Sequence, residues 1–136
     1  MTGGLRTFVT PTVIHFTTVL LVAMLYTIPT ETSGSLGLLL ACCGAAGLGY
    51  EGSAVVGLWR HHRAFSVKAA DWLWRAGLPA SGYLLVLWAG IRLPSVTPQA
   101  LDILAVAVVA FVLLGIRNTW DLVLWIARQQ PSSPLE

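Results

Sequence analysis

Four apolar stretches, each roughly the length of a membrane crossing, take up most of this chain and constrain it more than any motif does. A spanning α-helix needs about 20 apolar residues, because each residue rises about 1.5 Å through a hydrocarbon core of about 30 Å. Stretches at about residues 8–28, 36–59, 70–93 and 98–128 meet that length. The reading is an all-α integral membrane protein, an antiparallel four-transmembrane-helix bundle in one domain, with a polar tail over residues 129–136. Composition agrees: 56% of the residues are hydrophobic and 10% charged, and the mean hydropathy of +0.75 lies outside the soluble range. Thr10-Pro11 and Thr97-Pro98 predict the starts of the first and last spans, since proline suits a first helical turn. Pro29 predicts the end of the first span, and Pro79 a bend in the third. With short loops between them, sequential helices are expected to be antiparallel neighbours.

Charge sets the orientation. Residues 60–68, between the second and third spans, carry Arg60, Arg63 and Lys68 without an acid, whereas the first loop carries only Glu31. Basic loops stay in the cytoplasm, so both termini are expected inside, with Arg6 and Arg128 on the same side and Arg92 as the one dissenter. Trp59, Trp72, Trp74 and Trp125 then fall at the inner interface, where an indole's apolar body and polar N–H are both satisfied. A multi-pass protein of a bacterial inner membrane is the expected setting.

Several function classes are set aside. The net charge of +2 is small and scattered, which argues against a nucleic-acid surface. Cys42 and Cys43 are adjacent inside an apolar run and offer neither a disulfide framework nor a CxxC metal motif. His61 and His62 read as part of a solvated basic loop, because neighbouring helical positions point about 100° apart and no carboxylate is near in sequence. Only His15 lies deep enough for a haem ligand, and no P-loop, GxSxG or HExxH is present, so neither cofactor nor enzyme activity is expected.

Two sets of residues carry the remaining information. In the second span Gly37, Ala41, Ala45, Gly49, Ser53 and Gly57 recur at i+4, which predicts a small-residue stripe for close helix packing, within the chain or in a homodimer. The second set is ionisable and lies within the spans. Glu51 is eight residues from Trp59 and Arg117 eight from Trp125, so each sits about 12 Å from its anchor, which predicts a Glu51/Arg117 pair. Asp121 and Arg75 form a second, shallower rung, with Asp71 placed to share Arg75 at i+4 and Asn118 adding a donor. Counting Glu51, Asp71 and Asp121 against Arg75 and Arg117 leaves one acid over, for which His15 at a similar depth is the candidate partner. Tyr83 is assigned to the otherwise apolar outer half. These residues are expected to form a cytoplasm-facing site for a small polar solute, ion or proton. The alternative is a structural or regulatory subunit of a membrane complex, in which the same pairs only fix helix register.

Overall fold

The computed structural model describes residues 2–28, 32–61 and 73–129, and within them the side chains of 12–28, 32–56, 73, 74, 76–96 and 98–128. The described residues are all helical: α1 Thr2–Thr27, α2 Ser33–His61, α3 Leu78–Arg92 led in by a π-helical turn Leu73–Gly77, and α4 Thr97–Gln129. Two stretches, Ser33–Val56 and Pro98–Arg128, are long and apolar enough to cross a membrane. Gly57, Arg75, Trp59, Trp72, Asp71 and the basic loop at 62–68 lie outside the described residues or side chains.

Local chemistry accounts for the boundaries. The start of α2 is earlier than the apolar pattern suggests because Thr32 and Ser35 cap it reciprocally. The Ser35 N–H donates to Thr32 Oγ1 at 3.2 Å and the Thr32 N–H to Ser35 Oγ at 3.0 Å. Pro98 opens α4 in its first turn, as expected, whereas α1 begins well before Pro11 and runs through it. The irregularity in the third segment is a π turn on the N-terminal side of Pro79, which itself occupies the first turn of α3. A proline has no N–H for the carbonyl four residues back and its ring crowds that carbonyl, so a wider turn before it relieves the conflict. Between α3 and α4 the chain turns sharply, with the Ser95 and Val96 N–H groups both donating to Arg92 O at 3.0 and 2.9 Å.

Every helix buries a seam with alternating three- and four-residue steps: His15, Thr18 and Val22 on α1; Gly37, Leu40, Gly44, Gly47 and Glu51 on α2; Ala100, Leu104, Ala107, Phe111 and Leu114 on α4. A step averaging 3.5 residues keeps a seam facing one neighbour, as in knobs-into-holes bundles. This differs from the expected i+4 stripe. Each i+4 step drifts about 40° around a helix, so six positions wind about 200° and cannot share one contact. Gly37 is buried and Ala41 half-buried, while Ala45, Gly49 and Ser53 are exposed.

The closest approach joins α2 to α3. A Cβ on Gly44 would lie 2.5 Å from the Leu87 backbone nitrogen, one on Gly37 2.6 Å from the Gly90 carbonyl oxygen, and one on Gly47 would enter the Tyr83 ring. Falling residue numbers on α3 meet rising ones on α2, so the two run antiparallel. Contacts of Gly82 with Phe111 and of Trp74 with Arg117 give the same sense for α3 and α4. The other broad pairing is α1 with α4, whereas α1 and α2, consecutive in the chain, touch only sparsely and α2 and α4 scarcely at all. The helices thus form a ring with one thin seam, between α1 and α2.

Much of the described outside of the bundle is apolar as well. On α4 the exposed Val106, Val109, Leu113, Ile116, Trp120 and Val123 form a second stripe turned away from the buried one. Gly44→Ala is expected to lower stability by about 1–3 kcal/mol, because the added carbon meets backbone. Gly49→Ala, whose added carbon meets open space, should gain up to about 1 kcal/mol of helix propensity. Thermal melting of the two variants should therefore shift in opposite directions.

Candidate functional site

Midway along the bundle the seams of all four helices reach one level. From α1 comes His15, whose Nε2 lies 3.6 Å from Oε1 of Glu51 on α2, with the two side chains 1% and 7% exposed. From α3 comes Tyr83 and from α4 Phe111. Their ring centroids lie 6.4 and 5.6 Å from that of His15 and 4.6 Å from each other, all tilted. Gly47 and Gly82 make this possible: the Tyr83 ring lies where a Cβ on Gly47 would be, and the Phe111 ring 2.8 Å from where one on Gly82 would be.

The hydroxyls at this level resolve into one chain. The single proton of Thr18 goes to Ile14 O at 2.9 Å, so the Tyr83 hydroxyl must be the donor in its 3.1 Å contact with Thr18 Oγ1. His15 is different. Neither of its ring nitrogens has a hydrogen bond, and the 3.6 Å approach to Glu51 is an ion-pair distance beyond hydrogen-bond range. A buried polar group left in that state costs about 1–3 kcal/mol, so its retention calls for an explanation.

The Glu51/Arg117 pair anticipated from equal depth does not form. The α4 residue at the level of Glu51 is Phe111, and Arg117 lies six residues, about 9 Å of helical rise, further on, so equal distance from a tryptophan does not mean equal level; α2 and α4 also occupy positions in the ring that barely touch. Arg117 turns instead to its own side: its guanidinium carbon stands 3.7 Å from the centroid of the Trp74 ring, and its Nε 3.9 Å from Asp121 Oδ2 on the same helix. Stacking on an indole and an i+4 carboxylate suit a planar guanidinium at a half-exposed position. Asn118, half-buried, sits next to it in sequence. The expected Asp121/Arg75 rung depends on a side chain outside those described. His15, Glu51, Arg117 and Asp121 therefore divide between two places, a closed pair inside the bundle and a partly open cluster nearer the α4 C-terminus.

Sequence reasoning does not single out Tyr83, Thr18 or Phe111 as site residues, and Tyr83 is at the central level instead of the outer half. Helical rise carries the signal that finds it: nine residues from Trp74 is about 14 Å, close to the depth of Glu51. Comparison of the chain with protein-family models, with curated proteins and with solved structures finds no match. Tyr83→Phe should cost about 1 kcal/mol, because the Thr18 hydroxyl keeps its bond to Ile14, whereas Thr18→Val removes the acceptor of a buried hydroxyl and should cost more, about 1–3 kcal/mol. Melting temperatures in the reverse order would contradict these hydrogen-bond directions.

Proposed function

We propose that this is a four-span membrane protein with cytoplasmic termini whose bundle carries, at its centre, a polar site on His15 and Glu51 that binds or conducts a small polar solute, ion or proton. The carrying observation is the buried imidazole with no hydrogen bond to either nitrogen, opposite a buried carboxylate. Ionisable side chains within apolar spans are costly and tend to mark ion and proton pathways.

Support for the membrane setting comes from α4, which is apolar both on its buried and on its outward face, as a helix is when its surroundings are lipid on one side and protein on the other. Large apolar side chains are also exposed on α1, at Val13, Leu20, Leu21 and Met24, and at fewer positions on α2 and α3, such as Leu38, Leu39, Leu84 and Ile91. Exposed apolar surface on this scale suits a bilayer or a partner protein better than water. The basic segment at 60–68 supports the cytoplasmic assignment of that end. Arg117, stacked on Trp74 near that end, fits an interfacial position in which the guanidinium reaches toward headgroups.

Two measurements test this. A fluorescent-protein fusion after residue 136 should fluoresce in cells and one inserted at residue 30 should not, since the fluorophore matures in the cytoplasm. Both fluorescing would contradict the topology. Thermal melting of purified wild type and Glu51→Gln separates a site from a brace. If the carboxylate is retained for function, the variant should melt within roughly 3 °C of wild type or higher, the shift that about 1 kcal/mol produces in a chain of this size. Removing one partner of a structural buried pair costs about 3–5 kcal/mol, and a fall of roughly 10 °C or more would favour a non-catalytic subunit in which the pair only locks helix register.

A further inference from the structure

We infer that the occupant of the His15/Glu51 site is a proton, held by the pair and passed between imidazole and carboxylate, and not a metal cation or a solute. This rests on the proposed function of that site and narrows it. The first reason is space. The central level is filled by rings seated on glycines, Tyr83 against Gly47, Phe111 against Gly82 and, one turn away, Phe16 against Gly115. The His15 ring packs beside the Tyr83 and Phe111 rings, which lie against each other.

The second reason is donor number. Hard cations such as calcium and magnesium take about six or more oxygen ligands, and protein zinc sites supply at least three side chains. The described residues bring one imidazole and one carboxylate to this level, and no group of three or more His, Cys, Asp and Glu forms among them. A proton needs a single lone pair, and this pair offers one on each side.

The transfer is balanced within the pair. Once Nε2 and Oε1 close from 3.6 Å to hydrogen-bond distance, the N–H bond of an imidazolium breaks, the nitrogen keeps the electron pair, and the proton forms an O–H bond on Glu51. The reverse step restores the ion pair. Both arrangements carry zero net charge, so neither needs a further counter-ion in an apolar interior. Glu51 is the less enclosed of the two, its side chain 7% exposed against 1% for His15, and it lies on the thin seam between α1 and α2.

The groups facing the pair are few. Tyr83 on α3 has its hydroxyl proton committed to Thr18, and Cys43 and Tyr50 on α2 lie within electrostatic reach of Tyr83. From α4 the facing group is Phe111, while Arg117 and Asp121 are engaged with Trp74 and with each other. None of them supplies His15 with a hydrogen bond.

The test uses the full chain in lipid vesicles that enclose a pH-sensitive dye, with potassium and valinomycin cancelling the membrane potential and an acid step applied outside. Internal acidification should be at least about tenfold faster with wild type than with Glu51→Gln or with His15→Phe, which keeps a ring beside Tyr83 and Phe111, and sodium uptake should equal that of empty vesicles. Two variants on different helices keep the comparison meaningful if one fails to fold. Acidification as fast in both variants as in wild type, or no faster in wild type than in empty vesicles, would overturn the inference. So would sodium uptake lost with Glu51→Gln. The broader reading has its own readout: if the proton assay fails while Glu51→Gln still melts like wild type, the site stands with another occupant, and if the melting temperature also falls sharply, both fail.

Discussion

The approach of α2 to α3 at backbone distance is the contact on which the remaining geometry depends. It is available only because Gly37, Gly44 and Gly47 on one helix and Gly90 on the other have no side chain to place between them. In apolar surroundings helices gain little from hiding apolar surface, and close van der Waals contact of this kind becomes the main adhesive. The approach seats the Tyr83 ring on Gly47, which aims its hydroxyl across the bundle at Thr18 and so fixes one face of α1. With α1 held there, His15 three residues earlier can only point at Glu51 and at the Phe111 ring. A packing choice on α2 therefore determines which polar groups meet at the centre.

The two polar clusters respond to different constraints. The pair at His15 and Glu51 is enclosed by aromatic rings and is exposed by no more than a few per cent. Such a pair gains in mutual attraction from low dielectric but gives up the hydration of both groups, and without hydrogen bonds the balance is poor. The cluster at Arg117, Trp74 and Asp121 is half-exposed, a guanidinium stacked on a flat partner with a carboxylate one turn on. The first is therefore the better candidate for a function, and the second for an anchor near one end of the bundle.

Much of the fold is legible in the sequence, and the reasons are physical. Long apolar runs punctuated by Thr-Pro and by polar loops define four helical segments, and the described residues form four helices in those places. Their depths can be counted, because helical rise is constant, and counting brings His15 and Glu51 to similar levels. What counting cannot supply is the angle around each axis. Arg117 shows that the level can fail as well: counted from Trp125 it is assigned the depth of Glu51, but it lies six residues, about 9 Å of rise, beyond Phe111 and stacks on Trp74, and α4 barely meets α2. The small-residue pattern misleads for a related cause. Ala45, Gly49 and Ser53 obey an i+4 rule on paper, yet the seam that is buried follows 3.5-residue steps through Gly44 and Gly47. The early start of α2 depends on Thr32 and Ser35, a short reciprocal cap that hydropathy does not register.

Whether the acid on α2 faces the imidazole on α1 can be measured directly by solid-state magnetic resonance on the chain in lipid bilayers, with carbon label in the Glu51 carboxyl and nitrogen label in histidine and arginine. The expected result is dipolar contact between the Glu51 carboxyl carbon and a ring nitrogen of His15, lost on His15→Phe, and none with the Arg117 guanidinium. Contact with Arg117 in place of His15 would mean that the helices are arranged differently around the bundle and that the His15/Glu51 site does not exist.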